Sequence, residues 1–414
     1  MSSKPVTRPT YAVVLQLPYA RRTFAAALLG RMSYGIVPLS VMLAVTRATG
    51  SYAAAGTAMA LFGGTSVFLS PARAALIDRH GPRRALVPMT AAYTALLGLL
   101  TALVSGPGAA APPVLAAVTA AAGACTPPLG PTMRAVWARL TRDRELLLRA
   151  YGLDGVAEEL LFVSGPLLVG GLVGLAPPAA GIVLGGCLMA AGTAGFVRSP
   201  AVRAMGHGDG RGRARRAAAP RGALRGVVRP ALAAAGVGLA LGVVDLVVVA
   251  FAEQRHYGDD AVAWTLAALS AGSAVGGLFN GAVAWRGPAR ARLPLLVAGL
   301  APALAGAALA PGLATLAPAL AGAGFFVAPA LATAYLAADE AVVPEARVRA
   351  GAWVNTGVNA GGTAGAAGAG LLLGGLPTAL CFTAAAAAAL LTALVTAWGA
   401  ARTDRVGQEA VPAA

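Results

Sequence analysis

Apolar residues in this chain run in long blocks separated by short polar stretches. Twelve blocks are read, at residues 24–46, 53–76, 85–104, 113–133, 151–175, 179–197, 231–252, 262–285, 294–310, 314–337, 351–375 and 378–400. Each is close to the ~20 residues that a helix needs to cross a hydrocarbon core about 30 Å thick. The expected fold class is an all-α integral membrane protein with twelve transmembrane helices. The polar positions agree with that threading. Of 32 Lys and Arg, 29 fall on one side of the alternating blocks, in all seven segments there. Arg47 and Arg255 fall on the other side, and Arg31 falls inside the first block. Positive charge near span ends marks the cytoplasmic face, so both termini are expected in the cytoplasm.

The longest connection, 198–230, divides six blocks from six. It runs through Gly206-His207-Gly208-Asp209-Gly210-Arg211-Gly212-Arg213, a composition that cannot bury a core and reads as a flexible tether. The expected organisation is a tail at 1–23, a bundle at 24–197, the basic linker at 198–230, a second bundle at 231–400 and a tail at 401–414. The halves echo each other at an offset near 200. Arg149-Ala150 matches Arg349-Ala350, Gly165 matches Gly365, and Gly170 matches Gly370. Gly123 and Pro128 match Gly324 and Pro329, and Glu159 faces Asn359. Two six-helix halves joined by a cytoplasmic loop is a layout of secondary transporters, with substrate held between the halves.

Composition changes the picture little. The net charge of +16 follows from the side bias of the arginines, so no nucleic-acid partner is expected. The lipid bilayer is the expected surroundings, with the inner charge favouring anionic headgroups. Cys125, Cys187 and Cys381 sit in separate spans and read as small apolar fillers. His80, His207 and His256 lie in three loops on two sides, so no metal site is expected, and no cofactor.

Between spans two and three runs Ala74-Ala75-Leu76-Ile77-Asp78-Arg79-His80-Gly81-Pro82-Arg83-Arg84. This resembles the loop signature of the major facilitator superfamily: a glycine, a leucine, Asp-Arg, a glycine and two basic residues. Asp78, Arg79, Gly81 and Arg83 match. Ala74 stands where the first glycine is usual, and Pro82 where a basic residue is usual. The resemblance implies two pseudo-symmetric six-helix bundles. It implies that Asp78, Arg79, Gly81, Arg83 and Arg84 belong to a charge relay that locks the outward-facing state. It further implies a multi-pass transporter of a bacterial plasma membrane, similar to bacterial exporters of the superfamily and functional as a monomer. Ser164-Gly165-Pro166 and Gly170-Gly171 resemble, in part, the Gly-Pro motif of the superfamily's antiporters. That motif is expected to bend span five and pack it against the other half. Antiporters of the family carry an arginine midway along span four, whereas Arg134 is placed here at the cytoplasmic end.

Ionisable groups inside hydrocarbon are costly and mark candidate sites. Arg31 and Glu158 lie equally deep in spans one and five, roughly 10 Å from the cytoplasmic end. Glu159 is one residue deeper. Pairing of Arg31 with either glutamate leaves one acid to hold a proton reversibly, because like charge and burial favour the neutral carboxyl. Asp245, in span seven, is a second candidate for protonation or for attracting a cationic substrate. Asp154 is read as complementing the N-terminus of span five. Tyr34, Trp264, Trp353 and Tyr335 are aromatic candidates for ligand contact. Asn280, Asn355 and Asn359 are polar candidates between helices.

No phosphate loop is present and no catalytic set gathers in a loop, so neither ATP drive nor enzymatic catalysis is expected. The expected function is secondary transport of a small-molecule substrate, driven by a proton or another ion. Export comes first. Uptake of a small metabolite such as a sugar comes next, and a non-transporting membrane sensor or scaffold is the alternative of another class.

Overall fold

The apolar blocks fold as helices in the computed structural model, which describes residues 11–106, 110–141, 143–173, 175–206, 226–257, 259–283, 285, 287–373 and 376–409. The Gly/Arg-rich part of the expected linker, 207–225, lies outside the described residues. The first half comprises α1 (Tyr11–Gln16), α2 (Ala20–Thr49), α3 (Tyr52–Phe68), α4 (Ser70–His80), α5 (Pro82–Ser105), α6 (Pro112–Cys125), α7 (Leu129–Leu140), α8 (Arg144–Val173), α9 (Ala179–Arg198) and α10 (Pro200–Gly206). The second comprises α11 (Val228–Gln254), α12 (Asp259–Ala282), α13 (Ala289–Ala298), α14 (Leu300–Ala308), α15 (Leu313–Glu340), α16 (Arg347–Leu373) and α17 (Thr378–Glu409).

Among the described residues, eight helical segments are long and apolar enough to cross a bilayer, or nine if the pair α3–α4, bent by 41°, is one span. Three further long helices, α8, α12 and α16, occupy the places of the fifth, eighth and eleventh expected spans.

The last helix runs to Glu409, into the expected tail at 401–414, and two other boundaries that differ from the sequence expectation bear on the site. Span four does not end at the Thr126–Pro131 run. It breaks at residues 126–128 and resumes as α7, which reaches Leu140. Pro127 and Pro128 lack the N–H groups that would continue α6, and a proline ring clashes with the preceding turn. Span five begins at Arg144, seven residues ahead of the apolar block, because Arg144, Glu145 and Arg149 continue the helix past it.

Helix pairing repeats between the halves. In the first, α2 packs on α8 and α9, and α3 on α6. In the second, α11 packs on α16 and α17, and α12 on α15. The matched glycines occupy equivalent crossings. A Cβ on Gly123 would fall 2.4 Å from the Phe62 carbonyl oxygen, and one on Gly324 2.0 Å from that of Leu269. A Cβ on Gly165 would fall 2.6 Å from the Gly35 backbone, and one on Gly365 2.1 Å from the Leu239 carbonyl oxygen. These positions admit no side chain, so backbones touch where the repeat predicts them to.

The halves meet through α4, α7 and α8 of the first against α12, α15 and α16 of the second. Most polar contacts of this seam come from α4, α7, the start of α8, the ends of α12 and α15 and the start of α16, at the arginine-rich end of the molecule, and Thr356 of α16 also donates to the Val67 carbonyl of α3 at 3.1 Å.

Candidate functional site

Four charged side chains meet inside the first half. Arg31 comes from α2, Arg134 from α7, and Asp154 and Glu158 from α8. The acids are four residues apart, so they share one face of their helix. Arg31 Nη1 donates to Asp154 Oδ1 at 2.7 Å, and its Nη2 lies 3.1 Å from Glu158 Oε2. Arg134 Nε lies 3.0 Å from Asp154 Oδ2, and its Nη2 donates to Glu158 Oε2 at 2.5 Å. Each acid therefore serves both arginines. Arg31 is 1% exposed and Asp154 0%, whereas the Glu158 side chain is 26% exposed. Two cations and two anions balance, which is what makes burial of all four tolerable.

Small residues make room for this cluster. A Cβ on Gly130 would lie 3.8 Å from Arg134 Nη1 and 3.9 Å from Arg31 Nε. Immediately before Arg31, Gly30 abuts Gly192, where a Cβ would fall 2.2 Å from the Gly30 nitrogen. Across the seam, the Tyr335 ring of α15 lies under Arg134, with Cζ 3.8 Å from the ring centroid, a cation–π contact between the halves.

Arg31 and Glu158 do face one another, as their equal depth predicts. The side chain of Glu159 lies outside the described residues. Asp154 is not a helix-end group: α8 begins ten residues earlier, and Asp154 is the fully buried centre of the cluster. Arg134 belongs to the same cluster rather than to the solvent at the end of span four. Sequence reading missed both for one reason. Each lies beside a block edge, Arg134 just outside and Asp154 just inside, and the helices run on beyond those edges.

The break in span four holds two more polar groups. Tyr34 donates its hydroxyl to the Pro127 carbonyl and accepts the Leu129 N–H at 3.1 Å. Tyr34, a candidate for ligand contact, thus satisfies the broken backbone. Arg73, counted among the loop charges, is 6% exposed. It donates to the Gly123 carbonyl at 2.8 Å and also to the Ser66 carbonyl. Non-helical backbone at membrane depth survives only when such partners exist.

The loop motif sits on the seam. Asp78 Oδ2 accepts the Arg349 N–H at 3.0 Å. It thus caps the first turn of α16 from the opposite half, where a carboxylate also complements the helix dipole. Gly81 has φ +86°, a left-handed conformation that favours glycine, and it joins α4 directly to α5. Arg79, Arg83 and Arg84 are exposed. Other bonds close the same seam: Arg149 Nε to the Gly281 carbonyl at 2.6 Å, Arg347 to the Ala138 carbonyl at 3.1 Å, and Arg144 to Glu340 at 2.8 Å.

The remaining candidates disperse. Gly165 packs on Gly35 of its own half, not on the other half as the Gly-Pro motif suggested, and a Cβ on Gly170 would meet open space. The Pro166 side chain lies outside the described residues. Asp245 is exposed on α11, which packs on helices of its own half, and it forms no ion pair among the described residues. Asn280 is buried, and its backbone carbonyl accepts Trp285 Nε1–H at 3.0 Å. Asn359 Nδ2 donates to the Asn355 carbonyl at 2.8 Å along α16.

Residues 23–339 match the profile of the Major Facilitator Superfamily. No curated protein matches the chain. Among solved structures, the human organic anion transporter MFSD10 (TETRAN) is similar, with a TM-score of 0.71 at 15% identity, covering 94% of this chain and 100% of that one. A bacterial homologue of the iron transporter ferroportin in its outward-facing state has a TM-score of 0.70 at 14% identity, covering 92% and 98%. Likeness at such identity speaks for the fold, while the profile match spans most of the sequence: the chain belongs to the Major Facilitator Superfamily, with its all-α fold of two pseudo-symmetric six-helix bundles.

Proposed function

We propose that the protein is a secondary active transporter that exports a small molecule in exchange for protons, working by alternating access between halves at 24–197 and 231–400. The observation that carries this reading is the position of Glu158. It is the partly exposed member of an otherwise sealed four-charge cluster, and both arginines bind it. Protonation of Glu158 leaves two arginines facing one carboxylate. The cluster then carries unbalanced charge at the point where α2, α7 and α8 meet Tyr335 of the other half. A proton arriving there changes the energy of an inter-half contact, which is the coupling an ion-driven transporter needs.

The positive-inside rule assigns the arginine-rich end to the cytoplasm and with it both termini. The seam is closed at that end, so the arrangement corresponds to an outward-facing state. Asp78 capping α16 supports a part for the loop motif in holding that state. Asp245 is the proposed meeting point for a cationic substrate, since an exposed carboxyl inside a span calls for a partner that the described residues do not supply. No step of this reading involves catalysis.

The test is proton flux in sealed vesicles with an acid interior while a panel of small molecules is added outside. A compound that dissipates the gradient through the wild type but not through Glu158→Gln supports proton-coupled exchange. A compound that is transported with unchanged pH dependence in Glu158→Gln and Glu159→Gln removes the coupling role. A chain that binds compounds but moves none favours the sensor reading.

A further inference from the structure

A further acid lies between the halves. Asp339, at the end of α15, is 7% exposed and accepts a hydrogen bond from the hydroxyl of Tyr151, which is 3% exposed on α8. Among the described residues no arginine forms an ion pair with it. The charged groups around it are Arg347 on α16, Glu340 beside it, and Arg134 on α7. The other titratable neighbour is Tyr335, whose ring packs edge-on to Tyr151 at 6.4 Å between centroids. Glu340, itself an acid, is paired with Arg144, and Arg347 donates to the Ala138 carbonyl, so the nearby cations act on Asp339 from a distance and not through an ion pair.

Asp339 thus differs from every acid in the main cluster. Those acids are neutralised by arginines within one half. Asp339 is covered by the opposite half and partnered by a phenol. Its burial lasts only while the seam is closed, because Tyr151 and Asp339 belong to different halves. We propose that Asp339 is a second proton-binding site, one whose proton is held while the cytoplasmic seam is closed and released to the cytoplasm when the seam opens. This rests on the transport reading above and adds the place where the proton leaves. It also gives the neutral Asp339–Tyr151 pair the role of a latch.

The linkage has a sign. Closing the seam takes the carboxyl out of water with no ion pair to compensate, so proton binding and closure favour each other. Low pH keeps the seam closed, and rising pH opens it.

The experiment measures the distance between spin labels at Arg139→Cys and Val343→Cys, on opposite sides of the seam. Cys125, Cys187 and Cys381 are replaced by alanine, and the full chain is held in lipid nanodiscs. Wild type is expected to lengthen this distance as pH rises. Asp339→Asn, which cannot ionise, is expected to stay closed throughout. Tyr151→Phe removes a hydrogen bond that joins the halves only in the closed state, so its opening midpoint is expected to fall by on the order of one pH unit. Glu158→Gln is expected to retain the titration of the seam even where proton flux has stopped, which separates this site from the transport reading. A wild-type distance indifferent to pH overturns the proposal. So does an Asp339→Asn variant that still opens, or a Glu158→Gln variant in which the titration vanishes.

Discussion

The two halves share a plan of helix pairing and differ in what holds the pairs together. In the first half the central crossing of α2 with α8 combines a glycine contact, Gly35 on Gly165, with an ion cluster of Arg31, Arg134, Asp154 and Glu158. In the second half the equivalent crossing of α11 with α16 is glycine against backbone along its length. Cβ atoms on Gly238, Gly242, Gly361 and Gly365 would each fall within about 2 Å of a carbonyl oxygen on the facing helix. No ion pair joins two helices of the second half among the described residues. A repeat can thus conserve its packing while its polar chemistry collects on one side. The second half is held by contacts that no pH change alters. The first carries an ion cluster within its own helices, while Asp339 of the second is buried only at the seam between them.

The sharpest way to break this contrast is to unbalance the cluster. Arg134→Ala leaves Asp154 and Glu158 with a single cation and should cost about 3–5 kcal/mol, as removal of one partner from a buried ion network does. Thermal unfolding in detergent should fall accordingly, and vesicle transport should be lost. A loss below ~1 kcal/mol would mean that water already solvates the cluster. Next in size, Gly242→Ala drives a methyl group onto the Gly362 carbonyl oxygen, 2.0 Å away, and should destabilise by about 1–3 kcal/mol with no change in the pH dependence of transport.

Smaller in stability but decisive for the division of labour is Glu158→Gln. Its side chain is 26% exposed and its amide still accepts a hydrogen bond from either arginine, so the expected cost is about 1 kcal/mol. Its transport should lose pH dependence all the same. The smallest effect belongs to Gly170→Ala. Nothing lies within 4 Å of its added Cβ, and stability should stay within ±0.5 kcal/mol. Gly165→Ala, with the Gly35 backbone 2.6 Å away, should fail visibly by comparison. Equal tolerance of the two would dissolve the reading of span five as a packing helix.

Much of the scaffold was legible in the sequence because hydrophobic blocks and glycine spacing are local signals. Gly165 with Gly365 and Gly123 with Gly324 were paired by offset alone, and each proves to be a backbone contact of the same kind. That Arg31 would meet Glu158 or Glu159 followed from depth along two helices, which needs only the rise per residue. Arg134 and Asp154 were misread because block edges mark where apolar residues stop, not where helices stop. Charged residues at helix ends look alike whether they face water or one another. Asp339 and Tyr151 gave no signal at all. Their pairing spans 188 residues and exists only where two halves close.

The stitched break in span four has a consequence for biosynthesis. Arg73 belongs to α4, yet two of the carbonyls that accept its protons, those of Gly123 and Ala124, lie about fifty residues later in the chain. A lone arginine costs a spanning helix about 2.5–3.5 kcal/mol at the bilayer centre. Span two must therefore leave the ribosome carrying a charge of whose carbonyl partners only that of Ser66 is already translated. Until span four emerges, the insertion machinery, lipid headgroups or residual water must shelter that guanidinium. Spans two and four enter the membrane as a unit in energy, though not in time, and a chain paused between them is the point at which quality control has most to recognise.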